Sequence, residues 1–112
     1  MKKIEAIVRP EKIDEIRKAL ESAGYPGMTV TEVEGHGKQK GVTRQWRGES
    51  YKVDLLPKVK LELVVSDKDA ERILSTIIAK AKTGAVGDGK IFVSDVKDVV
   101  RIRTGERGEE AL

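Results

Sequence analysis

What most constrains this chain is a pattern that it carries twice. Ile4-Glu5-Ala6-Ile7-Val8 is rich in β-branched residues and partly alternating, and Leu61-Glu62-Leu63-Val64-Val65 repeats it. Each run ends in a break that opens a helix. Arg9-Pro10 puts proline in the first turn, and Ser66-Asp67 offers capping side chains. The same offset carries apolar Ile13, Ile16 and Leu20 onto positions 70, 73 and 77, where Ala70, Ile73 and Ile77 join Leu74, Ile78 and Ala81 in one helical face. Gly24 with Pro26-Gly27 stops the first helix, and a strand over 28–34 follows. A strand over 91–96 and a short basic strand over 99–103 complete the order. Two β-α-β units in tandem predict an α+β fold of the ferredoxin-like β-α-β-β-α-β kind, an antiparallel sheet with two helices on one face. With 112 residues this is one domain, 1–112.

Between the second and third strands the pattern lapses. Residues 36–56 read as a long flexible loop in which Val42, Trp46, Tyr51, Val53, Leu55 and Leu56 are scattered apolar positions. Connections longer than about 12–15 residues are uncommon in a compact domain and tend to be functional or disordered. The charge is concentrated there as well. Within it, from His36 to Lys52, the five bases Lys38, Lys40, Arg44, Arg47 and Lys52 face the single acid Glu49, a local excess larger than the net +3 of the whole chain, so the remaining surface is close to balanced. That placement speaks against a general nucleic-acid surface. With helices on one sheet face, the other must be covered, and Tyr25, Trp46, Tyr51 and Phe92 are too few for a base-stacking platform, so an oligomer that buries the open face is expected.

Several chemistries are excluded by what is missing. There is no cysteine, hence no disulfide and no thiolate metal site, and His36 alone cannot build a zinc centre. No apolar run is long enough for a signal peptide or a membrane span, which makes the cytoplasm the expected compartment, without membrane insertion. An acylphosphatase-like enzyme on this topology would need an asparagine beside its arginine, and the chain has none. An RNA-recognition domain shares the strand order, but Gly89-Lys90-Ile91-Phe92-Val93 holds one aromatic only.

The Gly-rich segment 82–90, Lys82-Thr83-Gly84-Ala85-Val86-Gly87-Asp88-Gly89-Lys90, is the best candidate for anion binding. Small residues allow backbone N–H groups to converge, and Lys90 adds a point charge. It is no P-loop: Ile91 stands where Ser or Thr should bind magnesium, and the turn runs from helix to strand instead of strand to helix. A helix C-cap with a tight turn would account for one or two of its glycines. Gly35-His36-Gly37-Lys38-Gln39-Lys40-Gly41 lacks the Rossmann spacing and a following helix, and reads as a hinge carrying Lys38, Gln39 and Lys40. Arg101 and Arg103 share one side of the expected basic strand, which suits a polyphosphate or, equally, pairing with glutamate. Glu5, Glu62 and Arg9 fit a salt-bridged sheet surface. The segment 101–112 is a basic strand and tail, loose from residue 105.

These segments carry a resemblance. Lys38-Gln39-Lys40-Gly41, Arg47-Gly48-Glu49-Ser50-Tyr51, Leu56-Pro57-Lys58-Val59-Lys60, the run from Thr83 through Val93, and Val100-Arg101-Ile102-Arg103-Thr104-Gly105-Glu106 are similar to the PII nitrogen-regulatory signal proteins, over nearly the whole chain. The resemblance implies a homotrimer with a projecting loop and nucleotide in clefts between subunits. It puts ATP or ADP against Thr29, Glu62 and Val64, with Gly37, Lys38, Gly87, Asp88, Gly89 and Lys90 around the phosphates and Arg101 and Arg103 reaching in from a neighbouring subunit. It puts 2-oxoglutarate next to the phosphates, with Gln39 on the Mg2+ that ATP brings and Lys40, Gly41, Lys58 and Gly87 holding the dicarboxylate. Oxygen-rich magnesium shells and lysine–carboxylate pairing make that arrangement chemically sound.

The same resemblance implies a non-enzymatic regulator of nitrogen metabolism. Its loop docks on a target, most often an ammonium transporter that Arg47 plugs, with glutamine synthetase and other nitrogen enzymes as alternative targets. Tyr51 matches a uridylylated tyrosine, whereas Glu49 stands where some cyanobacterial relatives have a phosphorylated serine. A docking subunit that binds nucleotide without 2-oxoglutarate is the competing expectation.

Overall fold

The structure is a computed structural model describing residues 1–35, 42–46, 49–53 and 56–112, with residues 35, 42–46 and 49–53 described in backbone only. Strand β1 (Lys2–Val8) leads through a 3-10 turn (Pro10–Lys12) into helix α1 (Ile13–Ser22), and β2 (Thr29–Gly35) follows. Strands β3 (Val42–Trp46) and β4 (Glu49–Val53) precede β5 (Leu56–Val65), α2 (Ala70–Ala81) and β6 (Lys90–Asp95). The main sheet runs β2-β5-β1-β6 with all its pairs antiparallel, the ferredoxin-like order expected from the repeat.

Alternation along the strands fixes the two faces. Ile4, Ala6 and Val8 of β1 and Val59, Leu61, Leu63 and Val65 of β5 are buried under the helices, where they meet Ile16, Leu20, Ile73 and Ile77. Ile78, expected in the same helical face, is half exposed because it lies beyond the stripe that the sheet covers. On the opposite face Lys3 reaches Glu62 at 2.9 Å and Lys60 reaches Glu5 at 3.6 Å, so the expected ionic surface exists for the two glutamates. Phe92 lies on that open face too, opposite Glu5 in the register, and is 54% exposed.

The structure departs from the sequence reading in four places. β5 begins at Leu56, five residues before the apolar run that marks it, and pairs with β2 from Gly35↔Leu56 onward. Pro57 argues against a strand, but β1 first meets β5 at Val8↔Val59, so position 57 has a neighbour on one side only, where proline is tolerated. Within the expected loop, β3 and β4 pair from Val42↔Val53 to Trp46↔Glu49, which gives Val42, Trp46, Tyr51 and Val53 a place in a two-stranded ladder. Ser66 starts its turn with its carbonyl, which accepts from Asp69 N–H at 3.1 Å, while its hydroxyl donates to the Asp69 carboxylate at 3.0 Å instead of capping a backbone group.

The fourth departure is the C-terminus. There is no strand over 99–103: Val100 makes a single bridge to Arg107, and residues 102–104 form a turn closed by Gly105 N–H on the Arg101 carbonyl. Nor is the tail loose. A 3-10 turn (Gly108–Ala111) ends the chain, Gly108 N–H donates to the Val99 carbonyl at 2.9 Å, and Arg107 pairs with Asp98 at 2.6 Å.

Candidate functional site

Antiparallel pairing brings the end of β1, the start of β6 and Val59 within β5 together at one end of the main sheet: Val8 lies beside Val59, and Lys90 beside Ile7. The segment 82–90 between α2 and β6 folds back onto that end. Gly89 touches it most closely, with φ at +98° and its Cα so near the Ile7 carbonyl that a Cβ would lie 1.7 Å from the oxygen. Only glycine meets both conditions.

The loop is organised from within. One oxygen of Asp88 accepts the Thr83 and Gly84 N–H groups, each at 2.8 Å. Its other oxygen accepts the Thr83 hydroxyl and, at 3.3 Å, the Arg9 Nε–H. The Thr83 oxygen in turn accepts Ala85 N–H at 3.2 Å. Foremost the Thr83 hydroxyl, then its N–H and that of Gly84, hold the Asp88 carboxyl well below the usual carboxylate range. From outside the loop, Arg9 Nη2 donates to the Val86 carbonyl at 2.9 Å and Lys58 Nζ to the Gly87 carbonyl at 2.7 Å. Lys58 is 9% exposed, and burial, with Arg9 nearby, lowers its pKa.

Of the residues expected at a nucleotide or dicarboxylate site, the structure therefore gathers Lys58, Gly87, Asp88, Gly89 and Lys90 at one end of the sheet. Beside the loop a cavity of about 290 Å³ is lined by Val8, Ile78, Ala81 and Ile91 together with Lys82 and Lys90. Thr29 and Glu62 are directly paired across β2 and β5, and Val64 follows two residues on along the same face. Glu62 is engaged by Lys3, whose hydrogen bond lowers the carboxyl pKa.

Arg101 and Arg103 are not brought to the loop within this chain. β6 ends at Asp95 beside Lys2, at the opposite end from Lys90, and the C-terminal segment departs from there. Arg101 is turned onto Glu106 at 3.1 Å and the Glu110 carbonyl at 3.0 Å, the glutamate pairing that its sequence context already allowed. Among the described residues, no hydrogen bond or ion pair joins either arginine to segment 82–90. Gly37, Lys38, Gln39, Lys40, Gly41 and Arg47 lie outside the described residues, as does the side chain of Tyr51.

Two contributors escaped sequence reasoning. Arg9, read there as sheet-surface charge, reaches the loop instead. Thr83 stood in the Gly-rich segment without a role. The available signal was a basic residue at the very end of a strand, immediately before Pro10, where its side chain is free of ladder neighbours.

The family described as Nitrogen regulatory protein P-II matches residues 1–106 of this chain. The chain belongs to that family. The P-II relatives include Nitrogen regulatory protein P-II 2 of Methanothermobacter thermautotrophicus, 57% identical over 112 residues, 100% of this chain and 97% of the relative. Nitrogen regulatory protein P-II of Pasteurella multocida and that of Rhizobium meliloti are each 55% identical over the full length of both chains. These relatives are named as regulators, and the P-II membership agrees with the α+β architecture described above. No helix among the described residues is long and apolar enough to cross a membrane.

Proposed function

We propose that this P-II protein is a cytoplasmic, non-enzymatic sensor that reads ATP against ADP together with 2-oxoglutarate, and passes the result to a nitrogen-metabolism target, foremost an ammonium transporter. The observation that carries the reading is the loop 82–90, folded by its own side chains against the end of the sheet with the Lys58 ammonium at its Gly87 carbonyl. The second half of the loop, Gly87 to Lys90, is left to meet phosphates with main-chain N–H groups and the Lys90 ammonium. Lys58, close to Gly87, is placed to pair with a carboxylate of 2-oxoglutarate beside them. Thr29, Glu62 and Val64 take the base end. Mg2+ would be held by ATP phosphates and Gln39, and Lys40 and Gly41 would complete the dicarboxylate site.

The assembly proposed is a homotrimer. Its support is the open sheet face with exposed Phe92, together with the departure of the chain that carries Arg101 and Arg103 from the end of β6 remote from the loop, which we read as sending them to the loop of another subunit. Ligands can move the long segment 36–56 only by binding its two arrangements with different affinity. Arg47 then docks on the transporter, glutamine synthetase is a further target, and Tyr51 is a site for modification.

The test is a calorimetric titration of 2-oxoglutarate into the protein with MgATP and, separately, with ADP. Binding with MgATP alone is expected, and Lys58→Ala lowers that affinity about 10- to 100-fold, the worth of a charge-assisted hydrogen bond. Nucleotide binding with no 2-oxoglutarate binding in either titration would reduce the protein to an adenylate-reading docking subunit, and an unchanged affinity in Lys58→Ala would remove Lys58 from the site.

A further inference from the structure

Asp88 poses a problem for any phosphate site: it puts a carboxylate in the middle of a loop that is supposed to attract anions. The geometry resolves it. Both carboxylate oxygens are engaged, one by two backbone N–H groups of the loop and the other by a hydroxyl of the loop and the Arg9 guanidinium from outside it. A phosphate gathers N–H donors in this way elsewhere. Here a side chain of the protein does so for the first half of the loop, and Arg9 balances its charge at 3.3 Å. Arg9 also ties the Val86 carbonyl, at 2.9 Å, so a single guanidinium fastens two points of the loop to the end of β1. Its side chain is only 15% exposed and that of Asp88 25%, which leaves neither group projecting freely into solvent.

We infer that Arg9 and Asp88 are positioning residues of the anion site: the pair folds segment 83–88 so that Gly87, Gly89 and Lys90 present their donors, and neither side chain touches the ligand. This rests on the reading of the loop as a phosphate site. Asp88 contributes to that site through its main chain and through the shape it imposes. The loop is thereby set before any ligand arrives, and its ordering does not have to be supplied by binding.

The two possible roles of Asp88 predict opposite results for Asp88→Asn. A carboxylate facing phosphate repels it, so its neutralisation would tighten ATP binding. A carboxylate that folds the loop has no substitute in an amide, which offers one acceptor oxygen and turns its NH2 toward N–H groups that need an acceptor. The experiment is titration of ATP, with and without Mg2+, and of adenosine as a phosphate-free probe, into wild type, Asp88→Asn and Arg9→Lys, with amide exchange at Thr83 and Gly84 followed by NMR in the absence of ligand.

For Asp88→Asn, ATP affinity is expected to fall about 10- to 100-fold, adenosine affinity to stay unchanged, and both amides to lose protection. Arg9→Lys keeps the charge but cannot hold Asp88 and the Val86 carbonyl in one planar fork, so it shifts ATP affinity the same way by about 10-fold. ATP bound by Asp88→Asn as tightly as by wild type, or more tightly, overturns the inference. A loss seen only with Mg2+ present also overturns it, since that marks a metal-side role. If wild type takes no ATP, the phosphate-site reading fails, and the exchange data decide separately: protected amides in wild type that open in Asp88→Asn uphold the positioning pair, and unprotected amides in wild type refute it.

Discussion

Gly89→Ala is the substitution whose consequence can be worked most fully from the geometry. Two costs add. The first is conformational: at φ +98° an L-residue is strained by about 1–2 kcal/mol relative to glycine. The second is steric. The new Cβ would lie 1.7 Å from the Ile7 carbonyl oxygen and 2.8 Å from its carbon, and both are main-chain atoms of an inner strand with no rotamer to turn away. Restoring a 3.0 Å separation needs about 1.3 Å of backbone movement at the Lys90 end of β6 or the Val8 end of β1, an overpacking cost of about 1–3 kcal/mol. Gly84→Ala is the control, because Gly84 has a similar φ of +89° and nothing within 4 Å of its built Cβ. It carries only the conformational cost.

For a domain of this size about 1 kcal/mol corresponds to about 4 °C. Thermal unfolding is therefore expected to show Gly84→Ala lower by about 4–8 °C and Gly89→Ala by about 8–20 °C. Gly89→Ala should also lose ATP affinity in a calorimetric titration while still folded at 20 °C, because the movement displaces the donors of the loop. Equal melting points for the two variants would refute the reasoning, since they would show that the contact with Ile7 has no energetic weight.

Two further outcomes follow from the packing and the electrostatics. The Asp88 carboxyl is held below its ordinary 3.8 by hydrogen bonds to its charged form, so its contribution to stability is present above that pH and is lost as the pH falls through the lower folded value. Its side-chain carbon resonance should accordingly titrate below pH 3.8, and a midpoint at or above 3.8 would contradict the hydrogen-bond pattern. Ile73, fully buried between α2 and the sheet, should cost about 2–5 kcal/mol as Ile73→Ala in urea unfolding, and a cost below about 1 kcal/mol would contradict its place in the core.

How legible was this molecule in its sequence? The two β-α units were, because both helices and the strands Lys2–Val8 and Leu56–Val65 bury one face against a shared core, and burial is what periodicity records. The first half of β5 was hidden, because Leu56 to Lys60 carries proline and two lysines, and its pairing with β2 is a long-range fact that no local pattern announces. The β3–β4 pair was hidden for a related reason: Val42–Trp46 and Glu49–Val53 alternate weakly and pair only with each other, outside the main sheet. The basic run at 99–103 looked like a strand from its valines and isoleucine, yet at Ile102 the chain turns and leaves that side chain fully exposed. At the site, the glycines and Lys90 marked segment 82–90 by their composition, and the structure folds that segment against the end of the sheet. Arg9 could not be assigned to it, because its partners Val86 and Asp88 lie more than 70 positions away in the chain and meet it only after the sheet has formed.

Strand β6 has one further consequence. Its six residues span about 17 Å, with the glycine loop at one end and the arginine-bearing turn leaving from the other. A small ligand gripped by both ends of that strand would draw them from different copies of the chain, as the proposed assembly has it. In the homotrimer proposed above, occupancy and assembly form a single equilibrium: diluting the protein is expected to weaken its hold on the ligand, and saturating the ligand to keep the copies together at concentrations where they would otherwise separate.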